Sequence, residues 1–153
     1  MNTYRSHNCS EINQKDIGKK VKLSGWIHRK RDHGNLLFLD LRDHYGITQC
    51  VVDVKNKNFK ILEKLNHESV ITVIGEVKNR EKGTENLEIK TGEFEIQIEN
   101  VKLLSVSDDL PIPVFGEQPY PEELRLKYRF LDLRKEKNHK KILLRSNVIS
   151  FLR

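Results

Sequence analysis

The feature that most restricts this chain is a two-residue apolar rhythm that recurs through Leu36–Leu41 and again through Ile47–Val54. Successive side chains of a strand point to opposite faces, so this rhythm fits half-buried strands and not a helix. Leu37, Leu39 and Leu41 then share a core face, with Leu36, Phe38, Asp40 and Arg42 on the other. In the second run Cys50, Val52 and Val54 form the core face, and Gln49, Val51 and Asp53 lie opposite. A turn centred on His44-Tyr45, followed by Gly46, sets Leu39 across from Cys50 and Asp40 across from Gln49. That register puts an aromatic ring, Phe38, and a carboxamide, Gln49, on one outward face. Immediately before the hairpin stand His28-Arg29-Lys30-Arg31 and the turn Asp32-His33-Gly34-Asn35. A ring to stack on, a donor and acceptor for a base edge, and cations for phosphates are what a single-stranded nucleic-acid platform requires.

The flanking sequence extends the strand pattern. Val21–Arg29 alternates Val21, Leu23 and Ile27 against Lys22, Ser24, Trp26 and His28, and Gly25 inside it predicts a bend or bulge of the kind a small closed barrel needs. Residues 56–66 change period, with Phe59, Leu62 and Leu65 three apart, which predicts a short amphipathic helix. Val70–Val77 returns to strand character, Glu81–Asn86 reads as a loop, and Glu93–Ile98 sets Phe94, Ile96 and Ile98 against Glu93, Glu95 and Gln97. The parity shifts near Asn100, which predicts a bulge there. Ahead of all this, Ser10 is the expected cap of a short helical turn that Gly18 closes.

Five strands with a helix between the third and fourth predict a mainly β protein, a five-stranded OB-fold Greek-key barrel over residues 1–107. All four prolines fall between Pro111 and Pro121. Proline cannot donate to a sheet ladder, so residues 108–121 read as a Pro-rich linker. Residues 122–153 read as a short helical segment, with Ile142, Ile149 and Leu152 near one helical face. It looks like the truncated start of a second domain, cut from a longer chain.

The 153 residues, 33% charged and 37% hydrophobic, suffice for a small domain plus part of another. A net charge of +6 mildly favours a polyanionic partner. No run approaches the roughly 18 apolar residues that span a bilayer, and the first ten residues lack a signal-like apolar segment. The expectation is a soluble cytoplasmic protein with no membrane partner, whose Cys9 and Cys50 are reduced thiols. The scattered histidines have no ligand spacing, so no metal site is expected, and no catalytic residues are assigned.

GWIHRKRDHGNLLFLDLRDHYGITQCVVD, residues 25–53, resembles the anticodon-binding domain of bacterial-type aspartyl-tRNA synthetases. EELRLKYRFLDLRK, residues 122–135, resembles the segment by which these class II enzymes enter their catalytic domain. The GW strand and arginine loop recur in lysyl and asparaginyl relatives, whereas RDHG with FLDLRDHYGITQ is particular to the aspartyl type. The resemblance implies an RNA-binding set: Phe38 stacking on an anticodon base, Gln49 reading the central uridine, and Arg31, Arg80 and Glu95 contacting anticodon bases or backbone, beside Arg29 in the basic run. His33 and Gly83, where many members carry leucine and a bulkier residue, resemble the non-discriminating kind that also charges asparagine tRNA. For the full-length enzyme the resemblance implies aspartate attachment to tRNA-Asp, ATP and Mg2+, and a homodimer. The motifs that bind ATP and the amino acid lie downstream, so this chain alone is expected to be inactive and to hold no cofactor. DNA is not an expected partner. Two other readings stay open from the residues themselves: a sequence-tolerant single-strand binder of the same fold, and an OB-fold protein-interaction module.

Overall fold

In the computed structural model, which describes residues 3–116 and 118–153, the central hairpin has the register that its alternation demands. Leu39 lies opposite Cys50, and Asp40 opposite Gln49. The hairpin strands are β2 (Leu36–Arg42) and β3 (Ile47–Asp53), preceded by β1 (Lys20–Asp32). A helix, α1 (Phe59–Lys64), leads into β4 (Val70–Asn79) and β5 (Phe94–Ser105). The strands close in the order β1-β2-β3-β5-β4. The β3–β5 pairing is parallel and the others antiparallel, as an OB-fold requires. Leu23, Ile27, Leu39, Leu41, Val52, Ile71, Val73, Val77 and Ile96 fill the interior, each at most 1% exposed. Phe59, Leu62 and Leu65 close one end of it from α1 and the residue after it.

The barrel closes where two glycines let backbones touch. A Cβ on Gly25 would stand 2.3 Å from the Arg42 carbonyl oxygen, and one on Gly75 would stand 2.2 Å from that of Gln97. Gly25 is thus a point of close approach, and the bulge expected there lies three residues on. Ile27 pairs with Leu41 and Arg29 with Asp40, so His28 is the extra residue in β1. The bulge expected near Asn100 is present, because Ile74 pairs with Asn100 and Gly75 with Ile98, leaving Glu99 over.

Other local expectations shift by a few residues. The short helical turn is Gln14–Asp16, capped by Asn13 and not by Ser10, because the Asn13 side chain accepts from the Lys15 amide while Asp16 accepts from the Asn13 amide. Val54 lies past the end of β3 and is exposed, while Val51 is buried although it shares the parity of Gln49. Asp43 organises the hairpin turn: its carboxylate accepts from the Tyr45, Gly46 and Cys9 amides at 2.7, 3.0 and 2.9 Å. Arg5 adds an ion pair at 3.4 Å, which ties the N-terminal segment to the turn. Both cysteines are free and buried, and burial pushes both thiols up.

The chain divides into two compact units, Met1–Asp109 and Leu110–Arg153. The second contains α2 (Glu122–Lys127), α3 (Arg129–Asp132) and α4 (Glu136–Leu152). Within it the buried Asp132 carboxylate accepts from Arg125 at 3.1 and 3.2 Å and from Arg129 at 3.0 Å. The Arg125 hydrogen bond leads in holding that carboxyl below its usual range. Among the described residues no helix is long and apolar enough to cross a membrane.

The bulge makes a pH prediction. Burial, followed by the charges of Arg42, Arg29 and His67, pushes the His28 imidazole down to about 4, from an ordinary value of about 6.5. Between those values the unfolded chain binds a proton that the folded chain refuses, so stability falls as pH drops through that window. Urea midpoints followed from about pH 7 to about pH 4 should show this decline, and His28→Gln should remove part of it. Superimposable profiles for the two proteins would show that His28 contributes nothing.

Candidate nucleic-acid interface

The His28 bulge decides which cations face outward. Ahead of it the odd-numbered residues of β1, Val21, Leu23 and Ile27, are buried. One extra residue reverses the parity, so that Arg29 pairs with Asp40 and Arg31 with Phe38, while Lys30 falls opposite the core residue Leu39. Both arginines therefore join Phe38, Asp40 and Gln49 on the outer face. Lys30 turns the other way, and its ammonium donates to the Glu63 and Leu65 carbonyls at the C-terminal end of α1. Such a cation satisfies helix-end carbonyls and complements the helix dipole. The basic run that looks uniform in sequence is thus divided between surface and scaffold.

On the outer face Arg31 is the connecting group. Its Nη2 donates to Asp40 Oδ1 at 2.9 Å and to Gln49 Oε1 at 3.0 Å. Gln49 Nε2 in turn donates to Glu95 Oε2 at 3.0 Å. A guanidinium can only donate and a carboxylate only accept, so this pair of neighbours fixes which end of the amide is which. Each end still has capacity for one more partner: a second lone pair on oxygen and a second N–H on nitrogen. Gln49 is only 6% exposed because it lies among these side chains, even though its parity is outward.

Phe38 stands one register step away, half-buried, opposite Arg31 on one side and Val51 on the other. The ring of His33, on the β1–β2 turn, meets it edge-on at 5.2 Å and 78°. Gly34 supplies the positive φ of 76° that this turn needs. Further along, Arg42 lies over the Trp26 ring at 5.6 Å and is bound at 2.7 and 2.9 Å by the buried Glu68 carboxylate. Arg42 is thereby held in an ion pair.

Arg80 and Gly83 lie at the β4–β5 loop. Gly83 is exposed, has φ of 88°, and donates its amide to Glu85 at 2.7 Å. Arg80 is buried at 9% exposure; its Nε donates to the Phe94 carbonyl at 3.2 Å and its Nη1 to that of Thr84 at 3.4 Å. Burial pulls its pKa down, with Glu95 and Asp40 opposing that shift. The structure thus brings Arg31, Phe38, Gln49 and Glu95 together with His33 at the edge, puts Arg29 on the same face, and sets Arg80 and Gly83 at the adjoining loop. Sequence reasoning missed Asp40 as the second acceptor of Arg31 and Lys30 as a helix-end donor. The Arg31–Asp40 opposite charges on adjacent strands were a usable signal for the first; the second needed the position of the bulge.

A closed five-stranded barrel with arginines, an aromatic ring and a clamped carboxamide on its β1–β2–β3 face defines an OB-fold nucleic-acid-binding module. The sequence model of the tRNA anti-codon family, described as an OB-fold nucleic acid binding domain, matches residues 21–104, and the chain belongs to that family. Over 153 residues the chain is 57% identical to an aspartate–tRNA(Asp/Asn) ligase of Pelagibacter ubique and 56% identical to one of Paramagnetospirillum magneticum. All of this chain is matched, but it spans only 26% and 18% of the length of those relatives. The asparaginyl-tRNA synthetase of Pyrococcus horikoshii, solved with asparaginyl-adenylate, superposes with a TM-score of 0.78 at 32% identity, over 94% of this chain and 32% of that one.

Proposed function

We propose that this chain is the anticodon-reading part of an aspartyl-tRNA synthetase of the kind that charges both aspartate and asparagine tRNA. The observation that carries the reading is the orientation of Gln49, whose amide is held by Arg31 and Glu95 on the face that also bears Phe38. An anticodon base leaves its neighbours and stacks on Phe38. Gln49 offers its remaining donor and acceptor to the edge of the central uridine, and Arg29 and Arg31 neutralise phosphates. Glu95 supports the reading amide and accepts from a base donor, while His33 and Gly83 line the approach from the two loops. Relatives named for both tRNA substrates support the relaxed choice, as do the small, exposed Gly83 and the His33 ring beside Phe38.

Aspartate activation with ATP and Mg2+, homodimer formation and a cytoplasmic location are assigned to the full-length enzyme, and the chain alone supplies recognition without catalysis. Among the described residues no three His, Cys, Asp or Glu side chains converge on a metal position, so no residue here is assigned to the ion.

The test is a titration of the chain with RNA stem-loops. Those carrying the aspartate and asparagine anticodons should bind with comparable affinity, and a strong preference for the first would remove the relaxed-choice assignment. Binding should weaken as salt rises, because phosphate contacts release counterions. Phe38→Ala should weaken all anticodons similarly, by about 1–3 kcal/mol. Gln49→Ala should cost about 1–3 kcal/mol of discrimination at the central base, and equal losses across central-base variants would contradict its role. Equal affinity for an unrelated oligonucleotide would instead favour a sequence-tolerant binder. No response to RNA at all would favour a protein-interaction module.

A further inference from the structure

Arg31 reaches Gln49 across a strand that lies between them. Arg31 is on β1 and Gln49 on β3, with β2 in the middle. The two backbones therefore stand two interstrand spacings apart, about 9.5 Å. On β2 the residue opposite Arg31 is Phe38, and the residue opposite Gln49 is Asp40. The guanidinium thus leaves its own partner and runs diagonally over β2 to meet the carboxamide. Asp40 stands where that path ends: Arg31 Nη2 donates both to Asp40 Oδ1 at 2.9 Å and to Gln49 Oε1 at 3.0 Å. That nitrogen carries two hydrogens, and these two bonds use them. Arg29 is directly opposite Asp40 on β1, which makes Arg31 its diagonal neighbour, at a separation that a long side chain spans. The Asp40 side chain is 13% exposed against 45% for Arg31, so the short carboxylate is the fixed point and the arginine the arm attached to it.

We propose that Asp40 is a positioning residue for base reading: it holds the Arg31 guanidinium over β2 and thereby fixes the Gln49 oxygen that faces the central base. The proposal rests on the anticodon-reading function given above. Glu95 holds the nitrogen end of the amide, so the oxygen end depends on Arg31 being in place. An unanchored arginine spreads over many rotamers, and the carboxylate selects the one that crosses to Gln49. A charged anchor suits the task because a hydrogen bond to an ionised group is about twice as strong as one between neutral groups.

Positioning and direct contact differ in two respects. A carboxylate that accepts from a base acts only when RNA is present, and acts with or without Arg31. A carboxylate that works through Arg31 orders the Gln49 amide in the free protein, and loses its effect once Arg31 is gone. The experiment compares the chain with Asp40→Ala, Asp40→Asn, Arg31→Met and the double substitution Asp40→Ala with Arg31→Met. The side-chain amide proton signals of Gln49, identified by their loss in Gln49→Ala, are recorded without RNA. The affinity of each protein is then measured for two stem-loops, one with the aspartate anticodon and the other with its central uridine replaced by cytidine. The urea midpoint of each protein is recorded beside it.

In the free protein the Gln49 amide signals should move, and exchange with water faster, in Asp40→Ala and Arg31→Met alike, with no further change in the double substitution. The cognate-to-variant affinity ratio should narrow roughly fivefold or more in Asp40→Ala, and by less in Asp40→Asn, whose neutral oxygen still accepts from Arg31. In the Arg31→Met background the Asp40 change should leave the ratio where it is, as expected of two residues that act as one unit. Amide signals that stay unmoved in folded Asp40→Ala overturn the proposal. So does an unchanged ratio. A narrowing by the same factor with and without Arg31 overturns it too, since that marks a direct base contact. Should Asp40→Ala fail to fold, Asp40→Asn carries the same comparison, because it keeps the shape of the side chain. A wild-type chain that shows no preference between the two stem-loops removes the anticodon reading itself. That is a different result from a preference that persists without Asp40.

Discussion

One extra residue in the first strand governs the arrangement of the whole interface. Period-two geometry assigns alternate side chains to core and solvent, and in an uninterrupted β1 the parity that buries Val21, Leu23 and Ile27 would also bury Arg29 and Arg31. The bulge at His28 reverses the assignment within a single residue. Both arginines emerge beside Phe38 and Gln49, and Lys30 is spent on the end of α1. The cost falls on His28 itself, whose ring is held half-buried and uncharged among Arg42, Arg29 and His67.

The outer face is a connected polar network. Asp40, Arg31, Gln49 and Glu95 form a chain of hydrogen bonds at 2.9–3.0 Å that crosses from β2 through β1 and β3 to β5. Gln49 is the buried member of this chain, so an amide end left without a partner there would be penalised, and its neighbours hold it in one arrangement. A carboxamide alone on a surface samples both flips. Here the neighbours admit one, and the order that a bound base needs is present before the base arrives.

Much of this was legible in the sequence because it follows from alternation. The Asp40–Gln49 and Leu39–Cys50 pairings, the helix between the third and fourth strands, and the shift near Asn100 each follow from period and turn position alone. What was not legible depends on where a period is broken. Gly25 advertised a bulge, yet glycine there serves a close backbone approach, while the histidine that does bulge carries no local signal. Nor does spacing reveal that Arg80 turns inward, since its direction is set by carbonyls fourteen and four residues away.

At Gly25 and Gly75 the barrel wall is main chain resting on main chain, with no side chain between to lengthen or trim. At these two points any side chain would have to push neighbouring strands apart, so the wall tolerates little change there. Lineages that drift in their choice of nucleic-acid ligand have little room to do so by reshaping the concave wall. Divergence is channelled instead into the rims, where the turns carrying His33 and Gly83 can change length and chemistry while the cylinder stays as it is.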